Sequence, residues 1–370
     1  MIGICLSDPH PDRAGDGSPI RTLSAARFAG RYRLVDFMLS NMVNSKIYNI
    51  GMILNSQYQS LISHIGMGKE WDLARKSGGV TFFPPYYADE RRSVNNELDG
   101  PLQRAAEYLT EQKTEYIIIA DSSIVYNMDY RPAVEAHKKN GADVTAIYTR
   151  KKINQGEREN TIAFNINEDA RVTGIDVAPP STDDLNISLG AYIMHKRNFI
   201  QLTAGEKNCG MLRFSRVILS GALSRLNVLG YEFKGYSAHI CSVETFFHYN
   251  LDILDRQKME SLFDFEGRRI HTNRRDSLPV KYGKKAEISN SIIADGCQID
   301  GTVINSIICR NVRIRAGAVV KNCVLQDETI VDKNASLDCI ITDRSVIISE
   351  NRSMMGYRTY PVYIESSRVI

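Results

Sequence analysis

Apolar residues recur at spacings of three and four between Leu34 and Ile47, which is the period of one face of a helix. The run at 48–55 that follows has the composition of a buried strand. Two cations, Arg31 and Arg33, precede the helix. The segment is therefore predicted as a loop, a helix and a strand, with arginines at the mouth of the loop.

Strand and helix patterns alternate along the chain as far as residue 262. Continuous apolar runs predict strands at 1–6, 80–85, 115–121 and 142–150, and helical periodicity predicts helices at 101–112, 131–141, 212–226 and 243–259. Residues 159–194 have the pattern of a strand meander, and 231–242 return to the sheet. Such alternation is typical of an α/β domain with a mostly parallel sheet covered by helices.

Beyond residue 286 the pattern changes to a repeat of about six residues. One set of repeat positions is aliphatic, and the positions four residues later are small, β-branched or aliphatic. The first set is Ile293, Ile299, Ile308, Ile314, Val320, Leu325, Val331 and Leu337; the second is Cys297, Val303, Val312, Ala318, Val324, Thr329, Ala335 and Ile341. A sandwich would instead show period-two alternation with turns every ~8–12 residues. The repeat predicts a parallel β-helix, because stacked coils bury the apolar side chains that a single coil would leave exposed.

These patterns divide the chain into three parts. Residues 1–262 are predicted as the α/β domain and 286–370 as the β-helix. Residues 263–285, which are polar, basic and glycine-bearing, are predicted as a linker.

Composition excludes several classes of function. The 370 residues are 43% hydrophobic and 24% charged, as in an ordinary globular protein. No apolar run approaches the ~20 residues of a membrane span, and no signal-peptide pattern opens the sequence, so we expect a cytoplasmic protein without a membrane partner. The seven cysteines include no CxxC pair, which favours reduced thiols. A net charge of +3 gives no reason to expect a nucleic-acid partner.

One long motif carries a family resemblance. The run Phe28-Ala29-Gly30-Arg31-Tyr32-Arg33-Leu34-Val35-Asp36-Phe37, with Leu39-Ser40-Asn41 and Val43-Asn44-Ser45 after it, resembles the glucose-1-phosphate adenylyltransferases. The likeness continues through 57–66, 125–130, 188–194, 250–254 and the repeats, so it spans nearly the whole chain. It implies a Rossmann-like nucleotidyltransferase domain with a mixed, mostly parallel sheet, followed by a left-handed parallel β-helix. It also implies adenylyl transfer, in which glucose 1-phosphate attacks the α-phosphate of ATP and releases pyrophosphate.

The chain departs from this family where the family holds its nucleotide. The family's glycine-rich loop matches residues 7–14, of which only Arg13 is kept. Pro9 and Pro11 remove amide donors there, and two aspartates add negative charge where a triphosphate would lie. The family's Arg-Ala-Lys-Pro motif keeps its arginine as Arg21, but its lysine becomes Leu23.

The implied metal and sugar-phosphate residues are also replaced. The first metal carboxylate of the family aligns with Ser123 and the second with His239, and the sugar-phosphate lysine aligns with Pro179. Asp121 lies two residues before Ser123, on the same face of the strand but ~6–7 Å upstream. Both metal carboxylates and both lysines are thus absent together. The resemblance then predicts no catalytic or metal-binding residues in this chain, with Mg²⁺ held only by a catalytic partner.

The leading interpretation is a non-catalytic, GlgD-type subunit that assembles with a catalytic glucose-1-phosphate adenylyltransferase subunit, as a heterotetramer, in glycogen biosynthesis. Three alternatives remain. One is an active enzyme with a displaced metal site at Asp121. Another is a β-helix acyltransferase, which the absence of histidine from 286–370 disfavours. The third is a free-standing module that binds a sugar nucleotide.

Four arginines near the loop mouth need partners. Arg13, Arg21, Arg31 and Arg33 either form surface salt bridges with nearby aspartates or bind an anionic effector such as a sugar phosphate, since guanidinium groups suit bidentate phosphate contacts.

Overall fold

The computed structural model describes residues 1–6, 23–54, 58–85, 100–153, 155–180, 184–204, 206, 211–274 and 276–370. The first part of the chain contains thirteen described strands and nine described helices. The strands are β1 (Ile2–Leu6), β2 (Arg27–Phe28), β3 (Tyr32–Arg33), β4 (Asn49–Ile53), β5 (Gly79–Phe83), β6 (Tyr116–Asp121), β7 (Ile124–Tyr126), β8 (Val144–Lys151), β9 (Ile162–Ile166), β10 (Val172–Val177), β11 (Leu185–His195), β12 (Val228–Glu232) and β13 (Ser237–His239). The helices are α1 (Leu34–Asn44), α2 (Gln59–Ile65), α3 (Pro101–Glu111), α4 (Arg131–Lys139), α5 (Lys196–Leu202), α6 (Met211–Arg213), α7 (Ser220–Ala222), α8 (Val243–Asp252) and α9 (Arg256–Phe263).

Nine of these strands form one mixed sheet. Strand β11 runs antiparallel to β6, β8 and β9, whereas the β1–β4, β1–β6, β4–β5 and β8–β12 pairs are parallel. Helices α1, α2 and α4 cover one face of the sheet, and α3, α5 and the 211–222 segment cover the other. The predicted nucleotidyltransferase-like α/β architecture is confirmed.

Two predicted helices differ from the structure. The helix predicted at 212–226 is instead helical over 211–222, with a π-helical stretch at Phe214–Leu219. The single helix predicted at 243–259 is wrong: α8 ends at Asp252 and α9 begins at Arg256. The side chain of Asp255 accepts hydrogen bonds from the backbone N–H groups of Gln257 (2.9 Å) and Lys258 (3.1 Å), so it caps a new helix.

The C-terminal part is the predicted left-handed parallel β-helix, with three five-stranded parallel sheets. One inward side chain per coil stacks within each sheet, as in the series Ile299, Ile314 and Val331. The strands are β14 (Lys281–Tyr282), β15 (Glu287–Ser289), β16 (Ile292–Ile293), β17 (Gln298–Ile299), β18 (Thr302–Ile304), β19 (Ile307–Ile308), β20 (Arg313–Ile314), β21 (Val319–Lys321), β22 (Val324–Leu325), β23 (Ile330–Val331), β24 (Ser336–Asp338), β25 (Ile340–Thr342), β26 (Ile347–Ile348), β27 (Ser353–Met355) and β28 (Val362–Ile364).

Asparagines occupy one corner of successive coils. Asn290, Asn305 and Asn322 have φ angles of 42°, 49° and 47°, a left-handed conformation that asparagine tolerates better than most residues. The Asn290 side-chain Nδ2 donates to Asn305 Oδ1 (2.9 Å), and Asn305 Nδ2 donates to Asn322 Oδ1 (2.6 Å). The corners are therefore joined by a ladder of side-chain hydrogen bonds.

The outer face of one β-helix sheet packs on the first domain. Ile307, Val324 and Ile341 share a buried cluster with Phe28 and Phe246. Two of the positions in the second repeat set, Val324 and Ile341, thus contact the first domain rather than the interior of the coil.

The segment predicted as a linker also contacts the first domain. The side-chain amide of Asn127 donates to the carbonyl oxygen of Arg268 (2.9 Å), and the His271 backbone N–H donates to Ser40 Oγ (2.8 Å). Strand β14, which lies in the same segment, pairs with β17 as the first strand of its sheet. Among the helices in the described ranges, none is long and apolar enough to cross a membrane.

Candidate functional site

Strands β7 and β13 form a two-stranded antiparallel ribbon, called here the strand ribbon, above the main sheet. His239 pairs with Ile124, and the Ile240 backbone N–H donates to the Ser123 carbonyl oxygen (3.3 Å). The structure therefore brings Ser123 and His239, the residues aligned with the family's two metal carboxylates, onto neighbouring strands at one end of the ribbon.

Asp121, the alternative metal ligand, is bound within the protein. It ends β6, is 3% exposed, and accepts hydrogen bonds through Oδ1 from the Ser123 backbone N–H (2.7 Å) and from Ser123 Oγ (2.8 Å). Gly190 packs so closely that an added Cβ would lie 2.6 Å from the Asp121 Cβ, and its φ is +59°. The carboxylate is therefore directed at Ser123.

His239 is a neutral imidazole at neutral pH. Burial, and to a smaller extent the nearby positive charge of Lys151, lowers its pKa to about 4. A hydroxyl and a neutral imidazole at these two positions are poor ligands for Mg²⁺, which prefers carboxylate, phosphate and water oxygens. Within the part of the chain that is described, no group of three His, Cys, Asp or Glu residues could hold a metal ion. The donor set at Ser123 and His239 does not fit Mg²⁺.

The residues aligned with the family's two lysines have structural contacts. Leu23 is buried among residues at the domain boundary, and the neighbouring Ser24 Oγ lies 2.6 Å from Ser122 Oγ. The carbonyl oxygen of Pro179 accepts a hydrogen bond from Arg158 Nε (2.8 Å). Neither position presents a cation.

The four candidate arginines have different surroundings. Arg13 and Arg21 lie outside the described residues, as does the stretch 7–14. Arg33 is 8% exposed, and its Nη1 donates to the Ser60 carbonyl oxygen (2.8 Å). Arg31 is exposed, and its Nη2 donates to the hydroxyl of Tyr32 (2.8 Å). Of the two candidate arginines that are described, Arg31 is the exposed one, and its side chain lines an open space.

That space is an interdomain groove of about 920 Å³ between α9 and the β-helix. Arg31, Met259 and Phe263 line one wall, and Ile292 and Asp295 line the other. The groove combines a largely apolar surface with an exposed guanidinium group. It is the surface on which the predicted effector site would lie.

A buried ion pair beneath the groove was missed by the sequence reasoning. Arg27 Nη2 pairs with Asp327 Oδ2, with the two side chains 3% and 7% exposed. Asp327 also accepts from the Arg310 backbone N–H (3.2 Å), and Arg310 Nε donates to Asp295 (3.0 Å). The pair joins the first domain to the β-helix. A possible signal was the charged Arg27 directly before the apolar Phe28, but the sequence does not show its distant partner.

Comparison with known proteins is consistent with this architecture. A family model described as "Nucleotidyl transferase" matches residues 23–236, and one described as "GlmU-like, C-terminal hexapeptide" matches residues 278–358. The chain is 31% identical over 351 residues to a glucose-1-phosphate adenylyltransferase of Fervidobacterium nodosum, covering 94% of this chain and 84% of that protein. It is 29% identical over 376 residues to the glycogen biosynthesis protein GlgD of Bacillus subtilis, covering 100% and 96% respectively. A glucose-1-phosphate adenylyltransferase of Clostridium perfringens is 28% identical over 336 residues, covering 90% and 84%.

Proposed function

From the premise that this chain belongs to the glucose-1-phosphate adenylyltransferase family, we propose that it is a catalytically inactive, regulatory subunit of that enzyme in glycogen biosynthesis. The observation that carries the proposal is the presence of Ser123 and His239, close together at one end of the strand ribbon, at the two positions where the family has metal carboxylates. Similarity to GlgD, a glycogen biosynthesis protein, along the whole chain supports the biological process.

Loss of the metal ligands removes the means of stabilising charge in adenylyl transfer. The reaction builds negative charge on phosphoryl oxygens, and cations aimed at those oxygens supply most of the rate. Leu23 and Pro179 replace the two lysines, so these cations are lost together with the metal. A single lost donor typically costs ~10²–10³ in rate, so four such changes leave no useful turnover.

The alternative, a displaced metal site at Asp121, has less support. The Asp121 Oδ1 would have to release the hydrogen bonds from the Ser123 backbone N–H and hydroxyl before it could bind a metal ion.

Adenylyl transfer by the isolated chain tests the inactive state. With MgATP and glucose 1-phosphate, we expect no pyrophosphate release above that of the heat-treated protein. Turnover at the rate of an ordinary enzyme, abolished by Asp121→Asn, would establish the alternative instead.

The regulatory part of the proposal rests on assembly with a catalytic subunit, as a heterotetramer, and on an anionic effector in the interdomain groove. Two arginines line that groove: Arg256 pairs with Glu260, whereas Arg31 lies between α9 and the β-helix, where a bound anion would contact both domains. Phosphate is the expected chemical group, because a guanidinium binds it through two parallel hydrogen bonds.

Arg31→Gln should weaken the response of the mixed complex to a sugar-phosphate effector without changing assembly. Arg33 is not a suitable target, because its replacement would also remove the contact with Ser60. Lys139→Gln, an exposed change on α4, is the matched control. An effector titration that is identical in Arg31→Gln and the unmodified complex would remove the groove from the proposal.

A further inference from the structure

A second cavity, called here the polar cavity, lies on the first domain and shares no lining residue with the interdomain groove. It has a volume of about 470 Å³, and its lining holds five basic and three acidic residues, so the cavity carries an excess of positive charge. Lys151, at the end of β8, is the least exposed of these basic residues to be fixed by neighbours. Its side chain is 23% exposed, so a small molecule in the cavity can reach its amine.

Two hydrogen bonds hold the amine of Lys151 in place. Its Nζ donates to the Tyr249 hydroxyl (3.1 Å) and to the Ser237 carbonyl oxygen (3.3 Å). The Glu157 carboxylate oxygen Oε2 lies 3.9 Å from Nζ, which is beyond hydrogen-bond distance. A neutral amine has two N–H bonds and one lone pair, so it can make both hydrogen bonds and still present its lone pair to another group. The geometry therefore satisfies the neutral form of this lysine.

The surroundings of Lys151 also favour its neutral form. Burial lowers the pKa of Lys151, and Glu157, Asp252 and Cys241, which face it from neighbouring elements, oppose that effect without cancelling it. An unprotonated lysine amine is a nucleophile that attacks carbonyl carbon atoms. Lys151 is therefore placed for covalent modification through the cavity.

Tyr249 connects the lysine to a base. Its hydroxyl accepts a hydrogen bond from Lys151 Nζ (3.1 Å) and makes another with Glu157, a residue that is 2% exposed. Burial, and then the charge and the hydrogen bond of Glu157, raise the pKa of Tyr249, so the phenol stays protonated and donates to the carboxylate. A proton that leaves Lys151 can therefore pass through the Tyr249 hydroxyl to Glu157.

Cations at the mouth of the polar cavity favour an anionic reagent. Arg150 and Lys234 are exposed residues of the lining. Guanidinium and ammonium groups bind phosphate through charge-assisted hydrogen bonds. A small reagent that carries both a phosphate and an electrophilic carbonyl carbon would be held at the mouth with its carbonyl group toward Lys151. An acyl phosphate has both groups, joined through one oxygen atom.

We propose that Lys151 is a site of acylation by an acyl phosphate. The Nζ lone pair forms a bond with the carbonyl carbon, the bond between that carbon and the phosphate oxygen breaks, and phosphate leaves with the electron pair. The excess proton on Nζ passes through the Tyr249 hydroxyl to the Glu157 carboxylate. The product is an uncharged amide with a single N–H, so one of the two hydrogen bonds of Lys151 is lost. This proposal does not rest on the regulatory role proposed above.

Acylation would act on the strand ribbon. Lys151 contacts Ser237, the first residue of β13, and His239 lies two residues further along the same strand. Burial and then the charge of Lys151 lower the pKa of His239. Loss of that charge should therefore raise the pKa of His239, and loss of a hydrogen bond should loosen the start of β13 or its contact with α8.

Incubation of the full-length chain with acetyl phosphate, followed by mass spectrometry of its peptides, tests the proposal. We expect Lys151 to be acetylated at least about tenfold faster than Lys139, an exposed lysine at the end of α4 that serves as the internal reference. The rate at Lys151 should level off at a lower pH than the rate at Lys139, because burial favours its neutral amine. Arg31→Gln, in the interdomain groove, should leave both rates unchanged.

Variants at the mouth separate recruitment of the phosphate from reactivity of the amine. Arg150→Gln with Lys234→Gln should slow acetylation of Lys151 by acetyl phosphate about tenfold. The same double variant should leave acetylation by N-acetoxysuccinimide, an uncharged reagent, within about twofold of the unmodified chain. Both positions are exposed, and the fluorescence of the single tryptophan, Trp71, checks that the variant is folded.

Three results would overturn the proposal. The first is acetylation of Lys151 no faster than that of Lys139. The second is a rate with acetyl phosphate that the double variant at the mouth does not change. The third is faster acetylation of Lys151 by acetyl-coenzyme A than by acetyl phosphate, which would make a thioester the acyl donor.

Discussion

Replacing Arg27 should lower the stability of the protein and uncouple the unfolding of the two domains. Arg27 and Asp327 are both nearly inaccessible to solvent, and Arg27→Met leaves a buried carboxylate without its guanidinium partner. Losing one member of a buried ion pair typically costs ~3–5 kcal/mol. Because Asp327 keeps the hydrogen bond from the Arg310 backbone N–H (3.2 Å), we expect the lower end of that range, about 3 kcal/mol.

Two optical signals can follow this effect during urea unfolding. Trp71 is buried in the first domain and reports its unfolding, whereas far-ultraviolet circular dichroism reports the sheets of both domains. In the unmodified chain the two transitions should coincide. In Arg27→Met the attachment of the β-helix to the first domain should weaken, although the apolar cluster around Phe28 remains, and the two transitions should separate.

Two further variants make the test specific. The double variant Arg27→Met with Asp327→Leu removes both charges, and most of the lost stability should return, since an apolar pair often replaces a buried ion pair without net loss. Arg31→Met, an exposed neighbour, should change stability by no more than about 0.5 kcal/mol. A cost below about 1 kcal/mol for Arg27→Met, or no recovery in the double variant, would refute the ion pair as the junction between the domains.

Three other predictions concern the site and the β-helix. Burial, and then the charge of Lys151, lowers the pKa of His239 from 6.5 to about 4, so the unfolded state binds more protons than the folded state between those pH values. The free energy of unfolding should therefore fall by about 2 kcal/mol from pH 7 to pH 5. Urea unfolding of His239→Gln should lack that component. Ile314→Asp should unfold the β-helix, as measured by circular dichroism, because it buries a charge. Arg313→Asp, on the exposed side of the same strand, should leave the β-helix folded. Equal tolerance of both variants would mean that the repeat register is wrong. Gly141→Ala, at φ +61° with open space around it, should lower stability by about 1 kcal/mol. Gly190→Ala should lower stability clearly more, because the added Cβ would lie 2.6 Å from Asp121. Equal losses of stability in thermal unfolding would contradict that contact.

The repeating patterns made the architecture predictable from the sequence. The six-residue spacing around Ile299 and Ile314 requires inward stacking in every coil, and apolar runs such as 115–121 become buried strands whatever their neighbours are. The break at Asp255 was not predicted. The apolar residues of 243–259 keep the spacing of a helix across Asp255, and the capping side chain of Asp255 ends one helix and begins another without changing that spacing.

The sequence placed the altered site but not the contacts that define it. Alignment put Ser123 and His239 in equivalent positions to two carboxylates, and the strand ribbon brings them together. Long-range partners carry no local signal: Arg27 pairs with a residue 300 positions away, and Arg33 donates to the backbone of Ser60.

In the role proposed here, this chain changes the behaviour of a catalytic partner that it cannot replace. The most direct measurement is the rate of ADP-glucose formation by the catalytic subunit alone, by this chain alone, and by the purified complex of the two, across a titration of sugar phosphate. We expect no turnover by this chain alone, and a complex whose maximal rate or effector half-saturation differs from that of the catalytic subunit. Turnover by this chain alone, or a mixture whose rates equal those of the catalytic subunit at every effector concentration, would contradict it.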